Sequence, residues 1–105
     1  MKQDILQHLR HGKRQAITGE RLAKLLGQRN DRQIRCLIRE LIEEGKPIAS
    51  SVHPPYGYYL VETVAEYEEY NAVLRARAID NFSRMMAFKK AAVGIFEGRQ
   101  LMMEV

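Results

Sequence analysis

The chain has 105 residues, enough for one domain with a modest core. Its 46% apolar and 29% charged residues exclude a disordered chain, and its single cysteine, Cys36, excludes an internal disulfide or a cysteine metal cluster. The net charge of +4 is uneven: residues 1–50 hold eleven Lys/Arg against six Asp/Glu, and residues 51–105 hold six against seven. A basic half beside a near-neutral half suggests a polyanionic partner for the first half.

Residues 1–7 carry no apolar signal core. No stretch approaches the roughly 20 apolar residues of a bilayer span. The expectation is a cytoplasmic protein without membrane contact.

In chain order, residues 2–11 read as a short helix. Ile5, Leu6 and Leu9 recur at helical spacing, and Gly12 is expected to end it. A basic loop at Lys13 and Arg14 follows. Residues 15–18 read as a very short strand.

Thr18 then caps a second helix, its hydroxyl accepting from an orphan N–H of the first turn. That helix is expected to bury Leu22, Ala23, Leu25 and Leu26 before Gly27 stops it. Asn30 caps a third helix, with Asp31 favourably placed against the helix dipole in its first turn. This helix runs to Glu44, and Gly45 supplies the left-handed residue after it. Its apolar set is Ile34, Leu37, Ile38, Leu41 and Ile42.

After Lys46-Pro47 the period changes. Residues 48–52 and 57–62 read as antiparallel strands joined by His53-Pro54-Pro55-Tyr56, where two prolines forbid a regular ladder. The hairpin must pack on the helices, through Ile48 or Val52 and through Tyr58 or Tyr59. Thr63-Val64-Ala65-Glu66 matches a capping box that opens a last helix. Nothing breaks this helix before about Val93, which gives it a length of about 45 Å. Gly94 and Gly98 are expected to loosen the chain beyond it.

Several features agree on one family. They are Ala-Ile-Thr before the second helix, Leu-Ala-Lys-Leu-Leu-Gly at its end, Ile-x-x-Leu-Ile in the third, Glu-Gly-Lys-Pro-Ile, and Gly-Tyr-Tyr-Leu. Residues 1–62 resemble winged helix-turn-helix DNA-binding domains of the biotin-repressor N-terminal type and of small prophage helix-turn-helix proteins. The resemblance implies a mainly α fold with a small β-hairpin wing, followed here by a long C-terminal helix. It also implies double-stranded DNA as partner, with no catalytic activity. A transcriptional regulator or a replication or packaging accessory of prophage type is the expected role.

The residues support this directly. Stepping about 100° per residue along the third helix puts Ile34, Ile38 and Leu41 on one side. The opposite side carries Arg32, Cys36, Arg39 and Glu43, with Arg29 just ahead and Gln33 and Arg35 on the flanks. A helix in the major groove reads bases near its N-terminal end. Arginine pairs bidentately with guanine and glutamine with adenine, so Arg32 and Gln33 are the expected base readers. Arg35 suits a phosphate contact. Asn30, Cys36 and Arg39 complete the DNA-facing set on this helix. Thr18, Arg21 and Lys24 are expected phosphate contacts from the second helix, and His53 and Tyr56 from the wing. The wing lacks Lys and Arg, which many DNA-binding wings carry. Glu40, Glu43 and Glu44 should point away from DNA.

No chemistry-bearing constellation stands beside this one. His8 and His11 have no third ligand near in sequence, so no metal site is expected. There is no Gly-rich phosphate loop or nucleophile elbow, so neither an enzyme nor a cofactor is expected.

Residues 63–105 read as a C-terminal helical segment for oligomerisation or partner binding. One apolar stripe runs Tyr67, Tyr70, Leu74, Ala78, Met85 and Phe88, interrupted by Asn81. A second runs Ala72, Ala76, Ile79, Phe82, Met86 and Val93. A domain of about 60 residues does not cover both, so self-association is expected, chiefly through Tyr67, Tyr70, Leu74, Ile79, Phe82, Met85, Met86 and Phe88. Two copies would present two third helices to half-sites. The methionines, with Met102 and Met103, also suit an adaptable surface for another protein. A second reading follows, in which the domain is a scaffold and the last helix a protein-interaction surface.

Overall fold

A computed structural model describes residues 1–96. The elements run α1 (Lys2–His8), a 3-10 turn (Lys13–Gln15), α2 (Gly19–Leu25), α3 (Arg32–Glu43), β1 (Ile48–Ser51), β2 (Gly57–Leu60) and α4 (Val64–Phe96). The protein is thus mainly helical, with one two-stranded antiparallel hairpin and a long last helix. It divides into two compact units after Tyr70, so the first two turns of α4 belong with the preceding domain. No helix among the described residues is long and apolar enough to cross a membrane.

In the first unit, Ile5 and Leu9 meet Leu22 and Ala23 of α2, Ile34, Leu37, Ile38 and Leu41 of α3, and Ile48 of β1. Ile17, Tyr58 and Leu60 pack against this cluster. Removing these side chains from water is the main force holding the three helices to the hairpin. Leu25 and Ile42, both expected inside, are 49% and 45% exposed. Each sits at the edge of its helix's apolar arc, past the point where the neighbouring helix reaches it.

The first helix is shorter than its periodicity predicts, and Gly12 does not end it. Leu9 is already extended, because residues 10–12 lie along β2. Leu60 N–H donates to the Arg10 carbonyl at 2.8 Å, and Gly12 N–H donates to the Leu60 carbonyl at 2.9 Å. The expected strand at 15–18 is reduced to one residue. Ile17 exchanges both backbone hydrogen bonds with Tyr58, at 2.9 and 2.7 Å. Gln15 belongs instead to the 3-10 turn.

The hairpin is buried on both faces. Ile48 pairs with Leu60 and Ser50 with Tyr58 on the face toward the helices. Ala49 pairs with Tyr59 on the other face, and both are 1% exposed. Burial pushes the Tyr59 phenol up, with the Glu66 and Glu69 carboxylates adding to the effect. The start of α4 meets the hairpin through Tyr70, whose phenol oxygen accepts from the Ser50 hydroxyl at 3.3 Å. Val52, an expected packing residue, lies outside β1 and is exposed.

The start of α4 is fastened by a capping box with an added tether. Thr63 Oγ1 accepts from Glu66 N–H at 3.1 Å, and the Glu66 carboxylate accepts from the Glu62 and Thr63 amides at 2.8 and 3.4 Å. Its second oxygen accepts from the Lys13 amide at 2.8 Å. Those amides, Lys13 first, hold the Glu66 carboxyl below the usual carboxylate range. Lys13 also pairs with Glu69 through its ammonium.

In the second unit, α4 continues through Gly94 to Phe96, so Gly94 does not loosen the helix. None of its residues is buried. The expected break at Gly98, and Met102 and Met103, lie outside the described residues.

Candidate nucleic-acid interface

The approach to α3 is set by local chemistry at its first turn. Asp31 occupies the position before the helix, and Asn30, one residue earlier, accepts from Arg32 N–H through Oδ1 at 3.0 Å. Asn30 thus satisfies an orphan donor from one place further out than the sequence suggests, leaving its amide NH2 to face solvent. At the other end Glu44 follows the helix and Gly45 adopts φ 102°.

The outer side of α3 is open. Arg32, Gln33, Arg35, Cys36 and Arg39 are all exposed. Arg32, Arg35, Cys36 and Arg39 line one shallow depression of about 260 Å³. Arg35, expected on a flank, therefore shares a surface with the other two arginines. It also reaches Asp31 at 3.6 Å, a loose and exposed i,i+4 pair of small energetic weight. Among the described residues Arg32 and Arg39 have no carboxylate partner. Their guanidinium groups remain available as planar hydrogen-bond donors to an anion or a base edge.

The acidic end of the same helix is partly compensated, by one lysine against Glu40, Glu43 and Glu44. Lys2 of α1 pairs with Glu40 at 3.3 Å and with Glu44. Both carboxylates raise the Lys2 pKa above its ordinary value, Glu44 the more strongly. Charge along α3 thus runs from unpaired arginine near the N-terminus to tethered carboxylate at the C-terminus.

The cap expected at the start of the second helix forms. Thr18 Oγ1 accepts from Arg21 N–H at 3.1 Å, so it caps α2. The Arg21 and Lys24 side chains are exposed. Lys24 joins Gln28, Arg29 and Asn30 around a second depression of about 260 Å³ at the turn between α2 and α3.

The loop after β1 is drawn to the same end of the domain. Gly57 has φ 127°, and a Cβ built there would lie 2.2 Å from the Ile17 carbonyl oxygen. Only glycine lets β2 approach the backbone ahead of α2 so closely. Beside it, the Tyr58 ring reaches the start of α2 and α3: a Cβ on Gly19 would meet Tyr58 at 3.4 Å and Asp31 at 3.2 Å. Burial raises the Tyr58 phenol's pKa, with Asp31 adding to the shift and Arg35 opposing it. Residues 52–56 therefore emerge next to the N-terminal ends of both helices. His53 and Tyr56 are exposed there, and the Ser51 hydroxyl cinches the loop by donating to the His53 carbonyl at 2.6 Å.

Compared with known proteins, the chain matches no family model, no curated protein and no solved structure. What the site can do is set by its own chemistry.

On the outer side of α3 that chemistry is one of donors, where the structure brings Arg32, Arg35, Cys36 and Arg39 together. The second depression is mixed, with Glu20 and Asp31 beside Lys24, Arg29 and Asn30. Sequence reasoning missed two positioning residues, Lys2 and Gly57, and named Tyr58, with Tyr59 as its alternative, only for packing the hairpin on the helices. The glycine ahead of the Tyr-rich strand gave a signal for Gly57. Nothing local marked Lys2, whose partners are 38 and 42 positions away in sequence. Of the eight residues expected to mediate self-association, Tyr70 is committed to the first unit. It is half-buried, and its hydroxyl accepts from Ser50 Oγ at 3.3 Å. Tyr67, Leu74, Ile79, Phe82, Met85, Met86 and Phe88 are exposed.

Proposed function

We propose that the protein is a winged helix-turn-helix DNA-binding protein, with α3 as the recognition helix and loop 52–56 as the wing. The reading rests on an open, arginine-lined side near the start of α3, with two of the three carboxylates at its far end paired to Lys2. A helix entering the major groove contacts base edges from its N-terminal part, where this chain exposes Arg32 and Gln33. Arg35 and Arg39 on the same side, with Arg21, Lys24 and Arg29 nearby in sequence, suit phosphates. Thr18 keeps a hydroxyl donor for the backbone while capping α2. The position of the loop beside both helix starts suits a wing that touches the duplex through His53 and Tyr56. A regulator of transcription, or an accessory in replication or packaging of prophage type, uses such a module.

Selection of bound duplexes from a random library at near-physiological salt tests this. The wild type should enrich a defined sequence. The double variant Arg32→Ala, Gln33→Ala should enrich none while keeping its circular dichroism spectrum. If the variant held the best wild-type duplex as tightly as the parent, α3 would not be the reader.

A further inference from the structure

We infer that the protein forms a two-fold dimer in which the second halves of two α4 helices lie antiparallel, crossing near Ile79. This stands apart from the DNA reading and is tested without nucleic acid.

The observations begin with exposure. Past Tyr70 no residue of α4 is buried, and Ile79, Phe82 and Met86 are 59%, 60% and 47% exposed. Apolar surface of this extent on a single helix calls for a partner. The occupant follows from the order of residues on one face. At about 100° per residue, Glu68, Ala72, Arg75, Ala76, Ile79, Phe82, Ser83, Met86 and Lys90 are the residues from 68 to 90 that fall within about 60° of the Ile79 direction.

An antiparallel alignment centred on Ile79 places residue 72 opposite 86, and 76 opposite 82. Small then meets large: Ala72 faces Met86, Ser83 faces Arg75, Ala76 faces Phe82, and Ile79 meets its own copy on the axis. Glu68 faces Lys90 at each end, and both side chains are exposed. The same face therefore complements itself in volume, and in charge at its two ends, while Arg75 can run its apolar stem over Ser83 and hold its guanidinium at the rim. A parallel pairing fails on both counts. It would set Ala against Ala and Phe against Phe, and bring Glu68 to Glu68 and Lys90 to Lys90.

Sedimentation equilibrium of the full chain and a set of variants tests the proposal. The wild type should be a dimer at micromolar concentration. Ile79→Asp, which puts two carboxylates on the axis, should raise the dissociation constant by at least about 100-fold. Phe88→Asp, on the far side of the helix, should leave it unchanged. Glu68→Lys should weaken the dimer by roughly 2–10-fold, since it replaces two exposed pairs by repulsions. Adding Lys90→Glu to that variant should restore it. A monomeric wild type, or an undiminished Ile79→Asp dimer, would overturn the proposal. Failure of the charge swap to restore affinity would overturn the antiparallel register, and neither Glu68→Lys nor the swap threatens a buried residue.

Discussion

The two units of this chain spend their apolar residues differently. In Met1–Tyr70, eleven apolar side chains are removed from water, and the hairpin is covered on both faces. In α4 past Tyr70, Leu74, Ile79, Phe82 and Phe88 are at least 44% exposed. The first unit is stabilised by its own packing, and the second by helix hydrogen bonds and whatever meets its surface. Stability and interaction are therefore separable by mutation.

The largest contrast is expected between buried and exposed leucines. Leu22→Ala, at a position 0% exposed, should cost about 2–5 kcal/mol in urea unfolding. Leu74→Ala should change the same midpoint by less than about 0.5 kcal/mol, because little is buried there. Equal costs would mean that the two units unfold as one.

Glycines give the next contrast. Gly57→Ala should destabilise by about 1–3 kcal/mol, since its φ is 127° and the added carbon collides with Ile17. Gly94→Ala meets nothing within 4 Å and should raise helix content, favouring that turn by about 1 kcal/mol in circular dichroism melts.

Glu66 joins the start of α4 to the domain, and pH tests the joint. Its folded-state pKa is depressed, chiefly by the Lys13 amide, so its contribution is complete above the ordinary glutamate value of about 4.3. That contribution should fade as pH drops from there through the lower folded value. Glu66→Gln should lose about 1–2 kcal/mol at neutral pH and flatten the acid limb of the stability curve. An unchanged acid limb would mean that the carboxylate does not hold the joint. Last, Thr18→Ala should cost about 1 kcal/mol by removing the α2 cap.

Features written within a few residues were legible from the sequence. Thr18, the Thr63–Glu66 box and Gly45 each depend on neighbours along the chain, and each forms the expected local structure. Features decided by distant partners were not. Helical periodicity carries α1 to residue 11, yet β2 takes residues 10–12 into a backbone ladder. Leu25 and Ile42 continue apolar patterns whose outer edges no other element reaches. Glu66 read correctly as a cap, but its tether to Lys13 spans 53 positions. In the candidate interface the direction of Arg32, Cys36 and Arg39 followed from helix geometry, whereas Arg35's place beside them and the Lys2 clamp needed three dimensions.

The salt dependence of duplex affinity probes the arginine-lined face most directly. Titrating a library-selected duplex by fluorescence anisotropy between about 50 and 200 mM salt should give a steep linear fall of log affinity against log salt, with a slope near −0.9 for each phosphate neutralised. Replacing Lys24 and Arg35 together by alanine should make that slope shallower by about two. A shallow slope in the wild type, or one untouched by the double replacement, would contradict DNA binding through this face.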